Sequence, residues 1–333
     1  MNMQKRSRHS LFGVTLLVLS CPIYVQAAEH SDVDFGPLKV YAQSPLQSSS
    51  LTPLVRSGFS YRPDTIELYT SGSIASVWAR TDDYHADYYQ NALAIGGLWQ
   101  LDERWSLDAS YTWRFAADNR LDSLTKDFHD FFGLGQNGRD EVDDHSFDIS
   151  APKYGAEVHD FRGETLGNAF NFYLGYQVLE NDKHGLSLGG SLYYNYVSSG
   201  PFEVSNFEQS LQANYSYRTG KHSIYTLLGV TYRHDDTVLA DIKYKTFSFS
   251  SGVSYQYEIH PKHRILAEFH LYEGNSDTIS DLDEPSTEFL LGYRYHTRYG
   301  AIEVVAIENV FNMDNSTDIA FSLGYRHQFS SSD

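Results

Sequence analysis

The sequence has a single cysteine, Cys21, which lies in an apolar stretch near its beginning. Three basic residues precede this stretch, which covers residues 11–19, and small residues before Ala27 suit signal peptidase. This arrangement predicts a secretory signal peptide over residues 1–27, with cleavage after Ala27. The mature chain would then lack cysteine, which excludes disulfide bonds, thiolate metal ligands and a cysteine nucleophile.

Basic residues are also scarce. The chain has 25 Lys and Arg against 43 Asp and Glu, a formal net charge of −18. Loss of a leader with three basic and no acidic residues changes this charge to −21. Such an acidic chain is a poor partner for nucleic acid, so we expect no nucleic-acid binding. No stretch of the sequence indicates a cofactor, and we expect none.

After the leader, no run of apolar residues is long enough to form a membrane-spanning helix. Mean hydropathy is −0.42, yet 15% of the residues are aromatic. Two classes of protein fit this composition, a soluble secreted protein and a transmembrane β-barrel. The lipid-facing surface of a barrel comes only from alternate residues, which keeps its average hydropathy low.

The spacing of apolar residues separates these two classes. Residues 105–115 and 319–329 alternate between apolar and polar side chains, which is the period of a β-strand with one apolar face. The runs are about ten to twelve residues long, enough for a tilted strand to cross a bilayer and longer than most strands of soluble proteins. Twelve segments are interpreted as strands: 66–79, 91–101, 105–115, 170–179, 185–197, 207–218, 222–233, 245–258, 263–273, 287–297, 300–311 and 319–329.

The connections alternate in length as well. Short links lie at 102–104, 181–184, 219–222, 260–263 and 297–300, and mostly longer ones lie at 80–90, 118–165, 198–206, 234–243 and 274–286. The sequence therefore predicts an all-β fold, a transmembrane antiparallel β-barrel of about 12 strands with long outer loops and short periplasmic turns. The barrel would span residues 66–329, with a tail at 330–333.

This interpretation places the protein in the outer membrane of a Gram-negative bacterium. Its expected partners are outer-membrane lipid, lipopolysaccharide and, during biogenesis, the barrel-assembly machinery. We expect a monomer.

Residues 28–65 have no strand pattern but contain several prolines, which fix extended backbone and remove hydrogen-bond donors. This segment is interpreted either as a periplasmic tail or as an insert in the lumen. Glycines also recur at inward positions of the strands, where they permit wall curvature or leave space for an inserted segment. They are Gly96, Gly175, Gly189, Gly229, Gly252, Gly292 and Gly324.

Charged residues occupy the inward positions of the same strands, where lipid would not tolerate them. They are candidate solute-binding residues of the lumen, and the alternative is a set of ion pairs that fills a narrow barrel. The candidates are Asp108, Arg114, Arg218, Arg233, Arg264, Glu268, Glu288, Arg294 and Arg326.

The longest connection, 118–165, contains the block DFHDFFGLGQNGRDEVDD. Apolar residues from Leu121 to Phe132 have helical spacing, and Asn137-Gly138 indicates a turn, so we expect a short helix that constricts or caps the mouth. The mouth-loop candidates are Phe128, His129, Asp130, Asn137, Gly138, Arg139, Asp140 and Glu141.

Two kinds of chemistry are candidates in this loop. His129 beside Asp130 could act as a base with its orienting carboxylate. Asp140, Glu141, Asp143 and Asp144 could bind a cation, although their spacing does not fit an EF-hand. The alternative for the four acidic residues is a solvated acidic loop.

The stretches Phe128-His129-Asp130, Phe132-Gly133-Leu134 and 137–142 resemble the characteristic block of a proteobacterial family of outer-membrane barrels of unknown function. The 93–115 hairpin and Gly36-Pro37-Leu38 are similar too. The resemblance implies a barrel and an outer-membrane location, but no activity and no catalytic residue.

The sequence favours a channel or transporter that binds or passes small solutes. One alternative is a lipid or lipopolysaccharide hydrolase that uses His129. Another is a structural or surface-interaction barrel.

Overall fold

The computed structural model describes residues 34–121, 145–234, 237–309 and 311–329. These residues form sixteen strands and two four-residue helices, α1 (Pro45–Ser48) and α2 (Ser280–Asp283). The strands are β1 (Ile66–Arg80), β2 (His85–Gln100), β3 (Trp105–Ala116), β4 (Asp148–Ala151), β5 (Ala156–His159), β6 (Thr165–Glu180), β7 (His184–Val197), β8 (Val204–Thr219), β9 (His222–Arg233), β10 (Thr237–Leu239), β11 (Ile242–Lys243), β12 (Phe247–His260), β13 (His263–Tyr272), β14 (Ser286–His296), β15 (Ala301–Glu308) and β16 (Thr317–Phe329). No helix among the described residues is long and apolar enough to cross a membrane.

Twelve of the strands form one closed antiparallel barrel, which confirms the predicted fold. Its order is β1, β2, β3, β6, β7, β8, β9, β12, β13, β14, β15 and β16. Pairing of β16 with β1, from Ile66↔Phe329 to Val77↔Thr317, closes the ring. Closure leaves no open sheet edge, so the backbone polar groups of the wall are paired between strands, as a bilayer requires.

The alternation of side chains in the wall is opposite to that of a soluble sandwich. Leu211 is 68% exposed on the outer surface, whereas the next residue, Gln212, is 4% exposed and faces inward. Apolar side chains therefore form the outer surface and polar ones most of the inner surface, the arrangement of a barrel in lipid.

Short turns gather at one end of the barrel, here called the turn end, where β1 begins and β16 ends. The longer connections lie at the other end, the loop end. The prediction of a longer loop over 80–90 is wrong. β1 extends to Arg80 and β2 begins at His85, so residues 81–84 form a tight link between them. Residues 86–91 are buried on both faces, which hides the alternation on which the strand prediction depended.

The long connection 118–165 contains the hairpin β4–β5, which the sequence did not indicate. β4 pairs with the extended start of β2, from His85↔Ser150 to Asp87↔Asp148, and so prolongs the wall beyond the membrane band. Apolar side chains from this hairpin, β1, β2 and the other loops pack together at the loop end. This loop-end cluster includes Tyr84, Tyr88, Tyr89, Phe147, Ile149, Phe161, Ile242, Tyr244, Ile279 and Leu282.

Residues 34–64 lie inside the barrel and are called the plug. The plug enters at the turn end, forms α1 near the loop end, where Leu46 joins the loop-end cluster, and returns to the turn end to continue into β1. Of the two alternatives left by the sequence, the structure places this part of the N-terminal segment in the lumen.

Candidate functional site: the plugged lumen

The plug contacts the wall along both of its limbs. Residues 34–44 form the rising limb, which contacts β13, β14 and β16. Residues 50–64 form the returning limb, which contacts β8 and β9 and ends beside the start of β1. Two limbs therefore share the lumen in cross-section.

Carboxylates of the wall accept hydrogen bonds from backbone N–H groups of the plug. Each of these carboxylates is buried, and charged acceptors form the stronger class of hydrogen bond. The bonds join Glu268 Oε1 to Leu38 N (2.8 Å), Glu288 Oε1 to Gln43 N (2.7 Å) and Ser44 N (2.8 Å), and Glu208 Oε2 to Leu51 N (2.8 Å). These three glutamates bind the main chain, not plug side chains of opposite charge.

Arginines of the wall bind the plug's carbonyl groups at the turn end. Arg326 donates to Phe35 O at 2.5 Å and to Pro37 O at 2.8 Å, and Arg294 donates to Pro37 O at 3.2 Å. Both guanidiniums also pair with Glu303, at 3.2 Å and 2.6 Å. The predicted ion pairs of the lumen therefore exist, and they hold the arginines against the plug.

Asp108 on β3 joins the two limbs. Its Oδ2 atom lies 2.6 Å from Lys39 Nζ on the rising limb and 2.5 Å from Arg56 Nη1 on the returning limb, and Oδ1 accepts from Tyr69 Oη at 2.6 Å. Lys39 lies over the ring of Tyr69 at 4.2 Å. One buried carboxylate thus compensates two cations. Leaving either cation unpaired in the lumen would cost free energy of folding.

Inward glycines make space for the plug. A Cβ atom at Gly252 would lie 2.7 Å from Val55 Cγ2, and one at Gly292 would lie 2.8 Å from Leu38 Cδ1. These distances are shorter than van der Waals contact, so only glycine fits the observed packing. The second of the two roles expected for the inward glycines, space for an insert, is therefore confirmed here.

The entrance at the turn end also carries charge. Asp34 lies 3.5 Å from Arg264 Nη1 and accepts a hydrogen bond from Tyr225 Oη at 3.1 Å. Burial raises the pKa of Asp34, but the Arg264 guanidinium and the Gly36 N–H together lower it by more than burial raises it. The pKa of Asp34 is therefore below its ordinary value. Asp34 is therefore ionised at neutral pH and anchors the first described residues.

The predicted lumen residues all lie on barrel strands, and the plug occupies the space where a solute was expected to bind them. Arg233 donates to Ser50 Oγ at 2.7 Å, and Arg218 lies over the ring of Phe59 at 4.1 Å. Arg114 differs, because it pairs with no carboxylate among the described residues. Sequence reasoning missed Glu208, although it stands at an inward position of a predicted strand and the same alternation would have found it.

The mouth-loop candidates Phe128, His129, Asp130, Asn137, Gly138, Arg139, Asp140 and Glu141 lie outside the described residues, as do the cation candidates Asp143 and Asp144 and most of the expected helix. Within the described ranges, no group of three or more His, Cys, Asp and Glu side chains is placed to hold a metal ion.

Chambers remain between the plug and the wall. The turn-end chamber has a volume of about 60 Å³. The middle chamber, of about 20 Å³, lies beside Tyr41, Gln47, Arg114, Asn171 and Tyr193. The loop-end chamber, of about 100 Å³, lies under the loop-end cluster.

Three solved structures are similar to this chain, and the first of them supports the fold. The COG4313 outer membrane channel from Pseudomonas putida F1 matches with a TM-score of 0.54 and 14% identity, covering 81% of this chain and 96% of that one. The translocator domain of the autotransporter NalP from Neisseria meningitidis matches with a TM-score of 0.45 and 9% identity, covering 79% and 88%. The NanC porin matches with a TM-score of 0.44 and 13% identity, covering 78% and 98%.

A comparison with curated proteins finds no match. One family does match, over residues 14–329, and its description is "Protein of unknown function (DUF3187)". Since this match covers nearly the whole sequence, the chain belongs to the DUF3187 family.

Proposed function

We propose that this protein is an outer-membrane channel for small solutes, closed by its own N-terminal plug. The observation that carries the proposal is the chemistry of the contact between plug and wall. Buried carboxylates and arginines bind the plug mainly through its backbone, and they face it from several strands around the barrel.

Such an interface supports a removable plug. Each hydrogen bond contributes only about 1 kcal/mol net, because water replaces the lost partner when the plug leaves and the lumen fills. The contact also has apolar parts, in which Leu38 and Val40 pack with Leu266, Leu290 and Val305 of the wall, and exposure of these side chains to water opposes opening. The polar side chains of the inner wall are therefore suited to a hydrated open state, whereas its apolar parts favour the closed one.

Closure depends on the plug because the remaining chambers are small. The largest of those described above has a volume of about 100 Å³, so passage of a solute requires the plug to move. With the short turns in the periplasm, as in barrels of this class, both limbs of the plug enter from the periplasmic side. The proposed opening is movement of the plug toward that side.

A disulfide between plug and wall tests this proposal. Ser44 Oγ of the plug and Ser286 Oγ of β14 are 2.8 Å apart, which places the two side chains close enough for a bridge after S44C and S286C substitution. The mature chain has no other cysteine if the leader is removed, so this pair alone can form. We expect the oxidised variant to lose solute permeation in liposome swelling, and reduction to restore it.

The matched control joins two wall strands and leaves the plug free. Ser73 Oγ of β1 and Ser322 Oγ of β16 are 3.2 Å apart, so S73C with S322C staples the barrel seam. This variant should permeate equally in both redox states. Equal permeation by the oxidised plug variant would show that the plug is not the gate, and absence of permeation or conductance by every form would end the channel proposal.

A further inference from the structure

Arg114 on β3 is buried, with 4% exposure, yet it stands apart from the other buried wall arginines. Arg233 pairs with Glu208, Arg264 with Asp34 and Glu258, Arg294 with Glu303, and Arg326 with Glu67 and Glu303. Arg114 forms no ion pair among the described residues, and its Nη1 atom has no hydrogen-bond partner there. A buried guanidinium without a carboxylate is costly unless an anion compensates it.

Other polar atoms near Arg114 also lack partners. Both amide atoms of Gln47 and Asn171 Oδ1 are buried without a hydrogen bond to the described residues, and the Tyr193 hydroxyl interacts with Arg114. Their residues and Arg114 line the middle chamber, whose volume of about 20 Å³ admits a water-sized group such as a carboxylate oxygen. Native proteins pair nearly all such atoms, so a polar group that enters this chamber finds several hydrogen-bond partners together.

The loop-end chamber has the opposite character and shares Arg114 as a lining residue. Its walls include Tyr84, Tyr88, Phe202, Leu239 and Tyr244, and its volume is about 100 Å³. That volume is of the same order as the ~150 Å³ apolar cavity of another protein that takes up benzene. Arg114 therefore lies between a space suited to an apolar body and a space suited to a polar group.

We propose that these two chambers bind a small amphipathic monocarboxylate, such as an aromatic acid. The Arg114 guanidinium would bind the carboxylate, which would receive a further hydrogen bond from the Tyr193 hydroxyl, and the aromatic chamber would hold the apolar body. The inference deepens the proposed function, on which it rests, by naming the class of solute. The buried carboxylate that interacts with Arg114, Glu208, is already paired with Arg233. The exposed acidic residues oppose binding little, because physiological salt screens charges farther than about 8 Å from the site.

Calorimetric titration of the protein in nanodiscs tests the site without requiring transport. Benzoate, benzyl alcohol and benzylamine have similar apolar bodies but carry a negative, a neutral and a positive group at neutral pH. We expect benzoate to bind at least about tenfold more tightly than the other two, because a hydrogen bond to a charged group contributes about this much to affinity. R114Q should abolish this preference, and R114K should retain part of it.

Two variants separate the contributions. F202A should weaken benzoate and benzyl alcohol alike, since Phe202 lines only the apolar chamber. R104Q, which changes an exposed arginine at the turn end, should bind like the unmodified protein. Heat-modifiable electrophoretic mobility establishes that each variant is folded.

Equal binding of the three probes, unchanged benzoate preference in R114Q, or no binding of any probe would overturn the proposed ligand class. If R114Q fails to fold, R114K decides the matter. An R114K variant that binds benzoate as tightly as the unmodified protein does, and binds benzyl alcohol equally tightly, contradicts the proposal. If binding depends on Arg114 but the protein conducts no solute, the proposed binding site is supported and the proposed channel function is contradicted.

Discussion

At the scale of single residues, many of the polar contacts between plug and wall are made by the main chain of the plug. Pro37, Pro45 and Pro53 have no N–H group, so each removes a donor that would otherwise need a partner in the lumen. The carbonyl of Pro37 is used, since it accepts from both Arg294 and Arg326. The prolines noted in the sequence thus reduce the number of donors that the wall must satisfy.

A small-to-large substitution at Gly252 should displace the plug. The new Cβ of G252A would meet Val55 Cγ2 at 2.7 Å, and this overpacking costs about 1–3 kcal/mol when the neighbours cannot move. We expect faster hydrogen exchange of plug amides around Val55. Adding V55A should return the exchange rate toward that of the unmodified protein, because it removes the clashing methyl group.

The control for this pair is G324A. A Cβ at Gly324 has no neighbour nearer than 3.7 Å, so this variant should leave plug exchange unchanged. Slow plug exchange in G252A, or no rescue by V55A, would contradict the tight packing of this limb against β12.

Much of the inner wall was predictable at this scale, but its partners were not. Asp108, Glu268, Glu288 and the arginines follow from an inward phase on a period-two strand. The cations that Asp108 binds are Lys39 and Arg56, which are 69 and 52 residues distant in sequence. The period of two residues predicts on which face of the wall a side chain lies, but it does not predict which residue contacts that side chain inside the lumen.

At the scale of elements, strand prediction was accurate where one face is wet or lipid-exposed and the other is packed. It was wrong at 80–90, where the β4–β5 hairpin and the loops cover β2 and both faces of the strand are buried. The β4–β5 hairpin gave no signal for a different reason, because each of its strands has only four residues. Short strands outside the membrane band have too few residues to show a period.

The loop-end cluster should depend on Phe161. This residue is 2% exposed, and its ring contacts those of Tyr88, Phe147 and Phe202 at centroid distances of 5.6, 5.7 and 5.0 Å. F161A removes these contacts at a cost of about 3–5 kcal/mol. We expect faster hydrogen exchange in β4 and β5, with exchange in the turn-end halves of the twelve barrel strands unchanged.

F311A is the matched control for this variant, since Phe311 is 60% exposed and also lies on a connection at the loop end. It should not change exchange in β4–β5. If F161A likewise had no effect, the hairpin would owe its stability to the pairing with β2 alone.

At the scale of the whole molecule, the apolar outer surface defines a lipid-facing band. Leu211 lies near the middle of β8 on this surface, so L211R would place a charge near the bilayer midplane. We expect a loss of about 2–4 kcal/mol in the free energy of unfolding, measured by urea titration of the protein folded into vesicles.

L179R makes the same change near the turn end of β6, where Leu179 is also exposed. There the cost should be only about 0–1 kcal/mol, because the guanidinium reaches the interface. Equal losses at the two positions would contradict the assigned position of the band along the strands.

The course of the plug has a topological consequence. Both limbs leave the barrel by the same end, and the plug is joined to β1 without crossing the wall. The chain is therefore not threaded through the ring. The two limbs of the plug can leave the lumen together as a loop, and no chain end has to pass through the pore, whatever precedes residue 34.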